Sequence, residues 1–131
     1  MGRLMEGRVL MPGTASGIAL MLDEPLSFWG GFDPLTGVIV EAGHPQRGES
    51  VAGRILVMPA GRGSSSSATV LAEAIRRGTG PAGIVLGEPD EIVAIGALVA
   101  AELYGVFVPV VLASAAAFSA VRPGDAIALD P

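Results

Sequence analysis

A strand-like run, Arg54-Ile55-Leu56-Val57-Met58-Pro59, leads through Gly61-Arg62-Gly63-Ser64-Ser65-Ser66-Ser67 into a helical pattern that begins near Ser66. Glycine permits the tight turn, arginine can grip an anion, and free amide N–H groups point outward at a helix start. This strand, turn and helix constrain the chain more than any other stretch. They commit its second half to an alternating α/β body with an anion-holding turn at one end.

The alternation continues downstream. Val70, Leu71, Ala74 and Ile75 recur at helical spacing, so a helix is predicted from Ser66 to Arg77. Arg76 and Arg77 suit the negative end of its dipole, and Gly78 ends it. A strand follows at Ala82–Leu86, then a helix from Asp90 or Glu91 to Tyr104 and a strand from Phe107 to Leu112. After the turn Arg122-Pro123-Gly124-Asp125 comes a last strand, Ala126 to Asp130. This βαβαβ order predicts a parallel sheet with right-handed crossovers. The second helix carries Ile92, Val93, Ile95, Leu98, Val99 and Leu103, and is apolar nearly all round. Such a helix is either deeply buried or part of a subunit interface.

The first half reads as β. Gly7–Met11 and Gly17–Leu22 flank Pro12–Ser16, a connection typical of a hairpin, and Gly37–Glu41 follows the turn at Asp33–Thr36. With 131 residues, no repeat and no convincing linker, residues 1–131 are predicted to form one α/β domain.

Composition removes several chemistries. The chain has no lysine, so it has neither a P-loop nor a Schiff-base amine, and no cysteine, so thiolate metal sites and cysteine nucleophiles are excluded. Net charge is −5 and the eight arginines are scattered, which argues against a nucleic-acid footprint. No apolar run approaches the roughly 20 residues of a membrane span. The segment Met1-Gly2-Arg3-Leu4-Met5-Glu6 lacks the core of a signal peptide, so a cytoplasmic location is expected. The lone His44, in the polar stretch 41–48, reads as a solvated loop side chain rather than an acid–base residue.

Two stretches stand out. One serine suffices to cap a helix, so four after Gly61-Arg62-Gly63 favour a site over a cap. The second stretch, Phe28-Trp29-Gly30-Gly31-Phe32-Asp33-Pro34, is either a turn with buried aromatics or a loop that closes over a small ligand. Met5, Met11, Met21 and Met58 fall in apolar runs and read as packing.

Leu26-Ser27-Phe28-Trp29-Gly30-Gly31-Phe32-Asp33-Pro34, Gly48-Glu49-Ser50-Val51-Ala52-Gly53-Arg54 and Gly61-Arg62-Gly63-Ser64 resemble, in that order, the small subunit or swivel domain of the aconitase-X family. The likeness continues through Glu88-Pro89-Asp90-Glu91-Ile92. It implies a swivelling β/β/α domain that docks on a larger subunit and completes a dehydratase site. It also implies an iron–sulfur cluster held by cysteines of that large subunit, with none bound by this chain. By the same resemblance the serine after Gly-x-Gly, Ser64, is the general base. Arg62, Gly63, Ser65, Ser66, Gly30 and Gly31 are expected around the substrate, a small hydroxy acid. Archaeal members dehydrate (R)-5-phosphomevalonate and bacterial ones cis-3-hydroxy-L-proline; Gly63-Ser64-Ser65-Ser66-Ser67-Ala68 resembles the bacterial form.

A serine hydroxyl acts as a base only as an alkoxide, which needs concentrated positive potential. The helix N-terminus, nearby amides and Arg62 are sources of it; alternatively Arg62 clamps the substrate carboxylate. A phosphocarrier swivel domain would need a histidine just after the turn, where this chain has serines. A non-catalytic scaffold module remains the other alternative.

Overall fold

The computed structural model describes residues 3–5 and 7–130. Its strands are β1 (Arg3–Leu4), β2 (Gly7–Met11), β3 (Ala15–Met21), β4 (Leu26–Ser27), β5 (Phe32–Asp33), β6 (Val38–Ile39), β7 (Ile55–Met58), β8 (Gly61–Arg62), β9 (Gly83–Leu86), β10 (Val110–Ala113) and β11 (Ala126–Leu129). The helices are a single kinked turn, α1 (Phe28–Gly31), then α2 (Ser66–Arg77), α3 (Glu91–Tyr104) and α4 (Ala115–Ala120).

Seven strands form a mixed sheet in the order β1-β11-β3-β7-β9-β10-β2. Its parallel centre is β3-β7-β9-β10; the βαβαβ reading predicts the β7-β9-β10 part, and β3 adds a fourth parallel strand. Nearly consecutive segments, β1 and β2, hold the two opposite edges, so the sheet curls until both are occupied.

Curling buries both faces of the central strands, which explains their uninterrupted apolar runs. Along β7, Ile55 and Val57 point into an inner cluster with Val85, Val111, Ile127 and Leu129. Leu56 and Met58 alternate to the outer face with Ile84 and Leu86, where they meet Leu71, Ile75, Ala97 and Ala100 of the helices. Helices α2 and α3 approach closely at Gly96, where a Cβ would lie 3.0 Å from the Ala68 carbonyl oxygen. Met5, Met11 and Met58 are buried in these clusters, as their runs predict.

Helix boundaries fall where the sequence signals place them. Gly78 and Gly105 take left-handed conformations after α2 and α3, and Asp90 caps α3 by accepting the Val93 N–H at 3.0 Å. Deep burial of α3 is not what the fold does. Its inner face is Val93, Gly96, Ala97, Ala100 and Ala101, while Ile95, Leu98 and Leu103 are exposed.

Three expectations need correction. β2 and β3 do not form a hairpin: β2 pairs with β10, whereas β3 pairs with β7 and β11. Turn chemistry at Pro12-Gly13 serves a link between separated strands as well as it serves a hairpin. The strand expected from Phe107 begins only at Val110, with Phe107 exposed outside the ladder. Pro109 has no N–H to donate there. The strand expected over Gly37–Glu41 pairs only at Val38 and Ile39, which leaves Glu41 outside it.

Candidate active site at the start of helix α2

Chain leaving β7 turns through Pro59 and Ala60 into β8, which pairs in parallel with β4: Leu26 faces Gly61 and Ser27 faces Arg62. The serine turn therefore lies beside the Trp29 loop, joining the two unusual stretches of the sequence. Gly63 adopts φ +112°, and a Cβ there would come within 2.7 Å of the Ser67 hydroxyl and 2.8 Å of the Ser27 hydroxyl. Only glycine fits this crossing.

The four serines have different surroundings. Ser64, Ser65 and Ser66 are exposed, whereas Ser67 is buried. Ser67 Oγ accepts the Trp29 backbone N–H at 3.3 Å, and its own N–H donates to the Ser64 carbonyl at 2.9 Å. Ser64 Oγ accepts the Ser66 N–H at 3.3 Å. Ser65 stands at the N-cap position with helical φ and ψ and makes no side-chain cap bond. Ser64 is thus the exposed hydroxyl that sits against a free amide at the positive end of a 12-residue helix.

The aromatic stretch is a turn with two of its three aromatics buried. Phe28 and Phe32 are buried edge to face with ring centroids 5.2 Å apart. Trp29, by contrast, is 63% exposed and Gly30 is exposed beside it. Gly31 is buried, and its carbonyl accepts the N–H groups of Val40 at 2.9 Å and Glu41 at 3.1 Å.

Glu41 escaped the sequence reading. Its carboxylate forms an ion pair with Arg62 and also accepts the Ser27 N–H at 3.2 Å. It lies 21 residues before Arg62, and no local spacing announces such a pairing.

His44 is also corrected. It is 5% exposed rather than solvated. Nδ1 accepts the Gln46 N–H at 3.0 Å, so Nε2 carries the proton and donates to the Glu24 carbonyl at 3.2 Å. The polar stretch around it hid a buried staple.

Ligands for metal are missing from this site. The sequence has no cysteine, and among the described residues no three His, Asp or Glu side chains converge as a metal-binding group. The residues of this chain do not fit an iron–sulfur cluster. Among the described residues, no helix is long and apolar enough to cross a membrane.

A curled mixed sheet with α2 and α3 on one face, and a Gly-x-Gly-Ser turn that opens α2, define a mixed α/β fold. The chain belongs to the aconitase X swivel domain family, whose model matches residues 4–131. It is 47% identical over 107 residues to the cis-3-hydroxy-L-proline dehydratase of Pseudomonas aeruginosa, covering 82% of this chain but 18% of that protein. It is 40% identical over 96 residues to the phosphomevalonate dehydratase small subunit of Thermococcus onnurineus, covering 73% of this chain and 74% of that one. The crystal structure of Thermococcus kodakaraensis aconitase X in its holo-form superposes with a TM-score of 0.85 at 34% identity, over 96% of this chain and 90% of that one.

Proposed function

We propose that this chain is the small, swivelling component of an aconitase X dehydratase, with Ser64 as its general base. A large subunit that holds the iron–sulfur cluster completes the site. The substrate is a small hydroxy acid, cis-3-hydroxy-L-proline, which becomes Δ1-pyrroline-2-carboxylate.

The position of Ser64 carries the reading. Its hydroxyl is exposed, receives the Ser66 N–H and lies at the N-terminus of α2. An amide donor and the helix dipole both favour the anionic form over the neutral hydroxyl. As alkoxide, Ser64 Oγ takes the proton α to the substrate carboxylate. Proton transfer to a positioned base contributes about 10²–10⁴-fold to rate. The turn is open to solvent, so the large subunit that covers it also excludes water, which strengthens these interactions. Departure of the hydroxyl belongs to the large subunit's side of the site.

Hydroxyproline is favoured over phosphomevalonate by the 47% identity to the Pseudomonas enzyme and by charge. Arg62, the one arginine in the turn, is balanced by Glu41. That arrangement suits a zwitterion better than an acid carrying a phosphate of nearly two further negative charges. Phosphomevalonate remains the second reading, on the 40% identity to the Thermococcus small subunit.

Purified complex with its large subunit, offered both compounds side by side, is expected to release Δ1-pyrroline-2-carboxylate from cis-3-hydroxy-L-proline and to leave (R)-5-phosphomevalonate untouched. The opposite preference overturns the substrate. Turnover of neither overturns the dehydratase.

A further inference from the structure

We infer that Glu41 is a positioning residue of this site: its one carboxylate holds both Arg62 and the Ser27–Gly31 loop, fixing the guanidinium for a substrate carboxylate. The catalytic consequence rests on the dehydratase reading, whereas the clamp itself is a property of this chain.

Ser27 and Arg62 face each other as partners in the short β4–β8 ladder. Glu41 spans that pair. Oε1 accepts the Ser27 N–H at 3.2 Å, and Oε2 pairs with Arg62 Nη2. Backbone bonds to the Gly31 carbonyl, from Glu41 at 3.1 Å and Val40 at 2.9 Å, tie the same residue to the other end of the loop. Glu41 is therefore bonded to both ends of the segment that carries Trp29.

Exposure assigns the two partners different places. The Glu41 side chain is 20% exposed and Arg62 46%, so the carboxylate lies beneath and the guanidinium at the rim. Arginine has five N–H donors in a rigid fork, and Glu41 engages the Nη2 corner. The remaining donors are enough for two parallel bonds to a carboxylate. An unrestrained arginine must be ordered at each binding event; one already held by Glu41 is ordered when the protein folds. Glu41 also lowers the net charge at the turn, which favours a neutral zwitterion over a polyanion.

Two substitutions separate the bonds. Glu41→Gln keeps an oxygen for the Ser27 N–H but removes the charge that holds Arg62, whereas Glu41→Ala removes both. Trp29, the sole tryptophan, reports on the loop without any partner. In the full chain, acrylamide quenching of Trp29 should rise in Glu41→Ala and stay near the parent value in Glu41→Gln. In the assembled enzyme, Glu41→Gln should raise KM for hydroxyproline about tenfold with a smaller loss in kcat. The same substitution should have no further effect in an Arg62→Ala background. Unaltered quenching in Glu41→Ala overturns the clamp on the loop. An unchanged KM in Glu41→Gln, or effects of Glu41 and Arg62 that multiply, overturns the positioning role. If the parent complex fails to dehydrate at all, the dehydratase reading fails, and the Trp29 measurement still decides the clamp.

Discussion

Ser67 Oγ accepts the backbone N–H of Trp29 at 3.3 Å, joining residues 38 apart in sequence at the edge of the candidate site. Ser67 is 2% exposed, so the bond has no ready replacement from solvent. Ser67→Ala should leave that N–H unsatisfied and destabilise the chain by about 1–2 kcal/mol. Urea unfolding measures this directly. An unchanged midpoint would mean that the serine belongs with its exposed neighbours and is not structural.

Leu56 tests the outer face of the curled sheet. It is fully buried where β7 meets the helices. Leu56→Ala should cost about 2–5 kcal/mol, the range set by lost transfer energy and an uncollapsed cavity. A cost below about 1 kcal/mol would place Leu56 at a site that collapses freely.

At the far end of α2, Arg76 bonds Glu73 at 2.7 Å and lowers its pKa from the ordinary value of 4.5, with coulombic help from Arg76 and Arg77. A depressed carboxylate contributes stability that is present above the unfolded pKa and lost as pH falls through the folded one. NMR titration of the Glu73 side chain should therefore show a midpoint below 4.5 that returns toward it in Arg76→Gln. The solvent-accessible setting, with the Glu73 side chain 38% exposed, makes the effect weak and salt-sensitive. A midpoint indifferent to Arg76 contradicts the assignment.

Cluster binding gives a visible test. Without cysteine the chain purified alone should be colourless, while co-expression with the large subunit should give a brown complex. Iron–sulfur absorbance retained by the isolated chain contradicts the division of labour.

Much of the fold was legible because its signals are local. The bounds of α2 follow from the apolar spacing of Leu71 and Ile75 and from Gly78, and the start of α3 from Asp90. What escaped depends on distant partners. Gly7–Met11 reads as a strand, yet nothing within it says that Val9 pairs with Val111 rather than with the next strand. Helix α4 escaped because Ala115–Ala120 is short and has no apolar period; its sign was the Ser114 cap, which accepts the Ala117 N–H at 3.1 Å. At the site, glycines and serines marked the turn itself. Glu41 and His44 were hidden because their partners, Arg62 and Glu24, are about twenty residues away in the chain.

The base assignment is decided by Ser64→Ala in the complex with the large subunit, assayed for pyrroline formation from cis-3-hydroxy-L-proline. Removing this exposed side chain deletes the 3.3 Å bond to the Ser66 N–H and should change stability by no more than about 1 kcal/mol. Turnover should fall by about 10²–10⁴-fold in kcat with the complex intact. Near-normal kcat in Ser64→Ala, with the loss appearing instead in Ser65→Ala or in none of the serine variants, would contradict the account.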